Sequence, residues 1–204
     1  YIFPLAAYKE VAKEIEKRVE AQGVHLMFGV TIDHMEQENG EKTAVLTDGS
    51  RIPADIVGLC IGTRAITETV QGEVEIGRGI VVDDHMRTSV PGIYAAGDCC
   101  EGNNLESGQN QIIGLWANAN HQGETAGINM AGGDMAYKGN ILHNITHFMN
   151  MDFIGFGDNR MQGEVLEYGS LSEDLYIRLV LDGKRIVGAN ILDNYRVSGI
   201  IKNY

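Results

Sequence analysis

Ala7, Tyr8, Val11, Ala12, Ile15 and Val19 recur at three- and four-residue spacing with lysine and glutamate between them, so residues 7–20 read as an amphipathic surface helix. Gly23 follows as its C-terminal cap, and residues 24–30 alternate loosely as a short strand. Residues 31–37 and 43–47 flank Asn39-Gly40, the pair a two-residue hairpin turn favours, and Asp48-Gly49 marks a second turn. Their polar-out alternation places these strands over one edge of a sheet. Residues 56–61 are continuously apolar, the pattern of a strand buried on both faces of a parallel sheet. Pro91-Gly92 turns the chain into a short buried strand over 93–96, and a helix is expected over 112–131, closed by Gly132-Gly133. Short strands follow at 142–148, 153–156 and 164–168. A hairpin then alternates Leu175, Ile177, Leu179 and Leu181, turns at Asp182-Gly183 and returns over 185–191. After Asp193-Asn194 a further helix opens.

The richest stretch runs from Thr88 to Cys99, in the order turn, strand, acid, loop, helix. In an open α/β sheet this order puts Gly97 and Asp98 at the carboxyl end of a strand, where such sheets bind ligands. Ala95, Ala96 and Gly97 are small enough for a cofactor to lie against the main chain. Asp98 would accept hydrogen bonds from ligand hydroxyls, and the helix start, near Ile112, would aim free N–H groups at an anion. Residues 101–111 are polar and read as the connecting loop, with Gln109, Asn110 and Gln111 able to offer amides to a ring.

The run Arg78-Gly79-Ile80-Val81-Val82-Asp83, then Met86-Arg87-Thr88-Ser89 and Pro91 to Asp98, closely resembles the second flavin-binding motif of the pyridine nucleotide-disulfide oxidoreductase superfamily. Within it, the chain is similar to the NADH oxidase, rubredoxin reductase and nitrite reductase flavoprotein branch. The resemblance implies FAD and NAD(P)H as cofactors. Gly97 and Asp98 would bind the ribityl and pyrophosphate part of FAD, while Gly114, Leu115, Trp116 and Ala117, opening the helix, would approach the flavin ring. A helix N-terminus also suits the negative charge a reduced flavin carries. Trp116 is expected to pack beneath the flavin or at a subunit contact. The segment ending Gly62-Thr63-Arg64 resembles the return from the NAD domain, with Gly62 letting a nucleotide approach. Ala65 and Ile66 depart from the family's usual proline and asparagine, which leaves Arg64 as a surface or interface residue. The implied fold class is α/β, with partial FAD/NAD(P)-binding Rossmann-like domains followed by a small α+β C-terminal domain. Its divisions are 1–66 (second half of the NAD(P) domain), 67–132 (C-terminal part of the FAD domain) and 133–204 (an incomplete interface domain).

A formal net charge of −12 argues against nucleic-acid and anionic-membrane partners, because like charges repel at long range. No apolar run reaches the length of a membrane span and no signal pattern opens the chain, so the cytoplasm is expected. Cys60 reads as core packing and Cys99-Cys100 as two reduced thiols, since a vicinal disulfide needs strained geometry. His143 and His147 fall in a strand, where positions four apart lie too distant for one metal ion, and no G-x-S-x-G elbow supports hydrolase chemistry. Gly77-x-Gly79 precedes a strand and Gly155-x-Gly157 leads into an Asp158-Asn159 turn, so neither is a G-x-G-x-x-G phosphate cradle.

The chain starts at Tyr1 without a methionine and reads as the carboxyl-terminal portion of a longer oxidoreductase. In that parent, hydride passes from nicotinamide to flavin and electrons pass on to an acceptor the sequence does not name. A second reading is an isolated folding or dimerisation module that binds no cofactor. Its sheet edge would then be covered by the missing half or by a second copy in a homodimer.

Overall fold

The computed structural model describes residues 1–157, 162–173 and 175–201; the Asp158-Asn159 turn lies outside them. Helix α1 (Lys9–Glu20) buries Val11, Ala12, Ile15 and Val19, the face its periodicity marks. Gly23 takes φ +86° just past its end. That face packs on Met151, Phe153, Tyr176 and Leu192 of a sheet formed more than a hundred residues later. Each valine or isoleucine side chain so buried stabilises the pairing by about 1.5–3 kcal/mol.

This sheet has five antiparallel strands: β7 (His143–Phe148), β8 (Met151–Gly157), β9 (Glu164–Ser170), β10 (Leu175–Asp182) and β11 (Arg185–Leu192), in the order β7-β8-β11-β10-β9. Side chains alternate between its faces, so Phe153 meets α1 while Ile154, Phe156, Ala189 and Ile191 form a second core, against which Val197 and Ile201 pack. Ile201 closes the last helix, α3 (Ser198–Ile201). Polar ties lock α1 down. Buried Asn190 accepts the Tyr8 N–H at 2.6 Å and donates to the Ala6 carbonyl at 2.8 Å. Arg18 bridges to Asp193 at 2.6 Å, and Asp193 in turn accepts the Asp152 N–H at 3.0 Å.

The middle of the chain departs from several expectations. The hairpin forms as β1 (Ile32–Glu38) and β2 (Glu41–Leu46), and β3 (Arg51–Pro53) completes a separate three-stranded sheet. Asn39 and Gly40 supply the two positive φ angles its turn requires. Residues 24–30 make no strand. The apolar run 56–61 forms no regular element and pairs with no strand among the described residues, and its side chains face outward: Ile56 is 91% exposed, Leu59 72% and Ile61 90%. Cys60 is accordingly exposed rather than core. A parallel-sheet strand needs a neighbour on each side, and the strands formed nearby pair only with their own sequence neighbours. Residues 93–96 likewise form only one bridge, Tyr94 to Arg87, instead of a strand.

The stretch 101–111 is not one loop. β4 (Ile80–Val81) pairs parallel with β5 (Cys100–Asn103), which pairs antiparallel with β6 (Asn110–Gln111). Helix α2 (Trp116–Met130) begins four residues later than expected from its composition, because residues 112–115 are not helical and the Leu115 N–H turns back to the Ile113 carbonyl at 2.8 Å.

Candidate functional site

Short polar contacts shape the motif. Asp83 Oδ1 accepts the N–H groups of His85 at 2.9 Å and Arg87 at 2.8 Å, closing a turn in which fully buried Met86 adopts φ +61°. Glu101 Oε1 accepts the N–H groups of Arg78 and Gly79, at 2.5 and 2.9 Å, and so fixes the entry to β4. Ala95 N–H reaches the Met86 carbonyl at 3.2 Å, which carries the chain alongside this turn towards Gly97.

Gly97 has φ +83°, a conformation open to glycine at no steric cost, and the Cys100 N–H returns to its carbonyl at 3.1 Å. The tight turn thrusts Asp98 outward. Its carboxylate is exposed and makes no hydrogen bond or ion pair among the described residues. Asp98 lines a cleft of about 420 Å³ with Gly114, Gln111, Arg78, Thr63 and Arg64. A β-carbon placed on Gly114 would lie 3.8 Å from Asp98 Oδ2, so the two face one another across its wall. Immediately beyond, α2 starts at Leu115 with no side-chain cap and no acid in its first turn, leaving N–H groups and the positive end of its dipole for a ligand.

The structure thus brings Asp98 and Gly114 together. Gly97 stands behind them. Leu115 and Ala117 are half-buried at the helix opening, and Trp116 projects outward, 83% exposed. Gly62, at φ +97°, precedes lining residue Thr63 but ends no strand. Arg64 and Arg78 are residues to which the sequence pattern gave no ligand role; both line the cleft, and the Arg64 guanidinium also pairs with Glu68 at 3.0 Å. An acceptor carboxylate, two cations and an uncapped helix suit one ligand carrying both hydroxyls and negative charge. A larger, more apolar cavity of about 470 Å³ lies between Leu5, Ala6 and strands β7 and β8, and meets this cleft only at Gln111.

Helix α2 buries Asn118, Gln122, Thr125 and Asn129 while Ile128 and Met130 lie exposed, the reverse of ordinary amphipathic patterning. The spacing of those polar residues, four, three and four, was the signal available in the sequence. Asn129 holds Met135 and the His85 carbonyl, and Asn118 receives the Tyr137 hydroxyl. Burial pushes the Tyr137 phenol up to about 12, opposed by the nearby Gln122 amide. Burial also pushes the Cys100 thiol up to about 12, so it is no nucleophile. Cys99 and Cys100 are both free thiols, as expected. His143 and His147 lie in β7 as read, with His147 bonded to Asp152 at 2.5 Å across the hairpin.

A glycine turn that offers a carboxylate beside an uncapped helix, behind a parallel strand pair, is the local arrangement at which α/β sheets take ligands. The chain belongs to the pyridine nucleotide-disulphide oxidoreductase family, whose model matches residues 3–123. It is 32% identical over 155 residues to the NADH-rubredoxin oxidoreductase of Clostridium acetobutylicum, covering 76% of this chain and 39% of that protein. It is 28% identical over 210 residues to the NADH oxidase of Streptococcus pyogenes, covering 92% of this chain and 46% of that protein. The water-forming NADH oxidase of Lactobacillus brevis, solved bound to NADH, superposes with a TM-score of 0.87 over 99% of this chain and 49% of its own; at 24% identity that likeness shows the fold. The chain spans less than half the length of these two curated relatives. No helix among the described residues is long and apolar enough to cross a membrane.

Proposed function

We propose that the chain is the flavin-closing, carboxyl-terminal portion of an FAD-dependent NAD(P)H oxidoreductase, divided at 1–66, 67–132 and 133–204 as its motifs imply. The observation that carries this reading is Asp98: an exposed carboxylate without an internal partner, facing Gly114 across a cleft that ends at an uncapped helix. Asp98 accepts hydrogen bonds from the ribityl hydroxyls of FAD. Arg78 and Arg64, with the first turn of α2, oppose the negative charge of its pyrophosphate and ring. Gly97 and Gly62 admit the ligand close to the main chain, and Leu115, Trp116 and Ala117 border the ring. When bound, the flavin takes hydride from NAD(P)H and releases electrons to an acceptor. Three thiols without a disulfide favour a reducing compartment such as the cytoplasm.

The exposed run 56–61 supports a second reading, in which the chain alone acts as a folding or dimerisation module and a second copy or an amino-terminal half covers that edge. Titrating the chain with FAD separates the two. Saturable quenching of flavin fluorescence, weakened at least about tenfold by Asp98→Asn, supports the first, since a hydrogen bond to a charged group contributes about 1.5–3 kcal/mol. A dimer that takes up no flavin supports the second.

A further inference from the structure

Asp98 faces the cleft because the turn ahead of it is held: the Cys99 thiol donates to the Ala96 carbonyl at 3.3 Å, the Cys100 N–H to the Gly97 carbonyl at 3.1 Å, and one further side chain reaches the turn from α2. The Gly97 N–H donates to Gln122 Oε1 at 2.8 Å, and the Cys100 thiol approaches the same oxygen at 3.5 Å. Gln122 itself is completely buried. Strand β5 makes room for it: a β-carbon on Gly102 would lie 2.2 Å from Gln122 Nε2, so a larger residue there would displace the Gln122 amide. Among the described residues that nitrogen has no partner in good hydrogen-bond geometry, although it lies beside Tyr137 closely enough to affect its phenol. A leucine of similar volume would remove that buried amide nitrogen but would leave the Gly97 N–H without its acceptor, so what the glutamine contributes here is its bond to the turn.

The neighbouring buried amide on the same helix face repeats the arrangement. Asn118 Nδ2 donates to the Ile113 carbonyl at 3.0 Å, immediately before Gly114. The two walls of the cleft, Asp98 and Gly114, are thus each secured one residue upstream from α2. Asn129, further along that face, holds His85 and Met135, neither of which lines the cleft.

We propose that Gln122 is a positioning residue for the cofactor: its oxygen fixes the Gly97 peptide in the positive-φ turn that aims Asp98 into the cleft. The inference rests on the flavin reading of that cleft, but its first test does not. Amide hydrogen exchange in the ligand-free chain should show Gly97 protected, deprotected in Gln122→Leu, and protected again in Gln122→Glu, which keeps an acceptor oxygen. Asn129→Leu serves as the control, lowering the melting temperature while leaving Gly97 protected. In the FAD titration, Gln122→Leu should weaken binding about tenfold, the loss of one hydrogen bond's worth of preorganisation, while Gln122→Glu and Asn129→Leu stay within about twofold of the parent. Where Gln122→Leu fails to fold, Gln122→Met carries the same comparison.

Gly97 exchange that is unchanged in the apolar variant overturns the inference. So does flavin affinity that falls equally in Gln122→Leu and Asn129→Leu. If Asp98→Asn binds FAD as well as the parent while Gly97 responds as described, the flavin reading of the cleft fails and the role of Gln122 in fixing the turn stands.

Discussion

Two apolar runs of this chain meet opposite fates. β11 is buried from Val187 to Leu192, with β8 on one side, β10 on the other and a packed layer over each face. The run 56–61 is at least as hydrophobic, yet it lies unpaired among the described residues and exposed. The difference is the supply of neighbours. β11 finds both of its partners within sixty residues of sequence, whereas a strand of the parallel kind needs partners delivered by crossover connections. Hydrophobic pattern therefore reports the demand for burial, and the remainder of the fold decides whether the demand is met.

The largest expected contrast is chemical access. A thiol reagent at neutral to mildly alkaline pH should modify Cys60 rapidly and Cys100 more than about a hundredfold more slowly, since a buried thiol reacts only through opening of the structure. Mass spectrometry of timed, digested samples reads both rates, with half-buried Cys99 between them. Equal rates at Cys60 and Cys100 would erase the contrast. A partner covering 56–61 should protect Cys60 selectively.

Core substitutions come next. Phe153→Ala removes a fully buried ring from between α1 and the sheet and should cost about 3–5 kcal/mol, whereas Leu59→Ala should stay within about 0.5 kcal/mol. Chemical denaturation measures both. A comparable loss at Leu59 would show that its segment is packed in solution.

Legibility followed the same divide. α1, the β1–β2 turn and the β10–β11 hairpin were readable because their periodicity and turn residues are local, and their partners lie in the chain. The strands expected at 24–30, 56–61 and 93–96 were not, because a parallel strand is recognised by composition but made by neighbours. At the site, the run from Arg78 to Asp98 announced the cleft and Asp98. Gln122 and Asn118 stayed hidden because polar residues on a helix are ordinarily solvent-facing, and only their spacing along α2 hinted otherwise. That α1 would seat on the last sheet was equally invisible: an amphipathic face names no partner.

A smaller contrast tests the polar ties. Asn190→Ala leaves the Tyr8 N–H and Ala6 carbonyl without their buried partner and should cost about 1–3 kcal/mol in denaturant unfolding. In the exposed region, Thr47 Oγ1 accepts the Thr31 N–H at 3.2 Å, but water can replace it. Thr47→Val should therefore leave the unfolding midpoint nearly unchanged, and a loss matching that of Asn190→Ala would mean the small sheet is covered.

The smallest contrast lies in two carboxylates held below the ordinary range. Glu167 on β9 is lowered first by the Tyr176 hydroxyl, which donates at 2.7 Å, and then by Arg178; Glu36 on β1 is lowered first by Arg51 and then by His34. A carboxyl whose folded pKa is depressed binds fewer protons folded than unfolded. Its contribution is complete above the unfolded value and is lost as pH falls through the folded one. Both variants, Glu167→Gln and Glu36→Gln, should thus flatten the acid limb of the melting-temperature profile and leave the limb above neutrality parallel to the parent. The side chain of Glu167 is 49% exposed, so solvent screening limits its share to at most about 1 kcal/mol, or about 3 °C in a chain of this size. Glu36, in the exposed sheet, should give less. A larger acid-side effect at Glu36 would reverse the ranking of the two regions and show that the hairpin, not the C-terminal sheet, controls unfolding in acid.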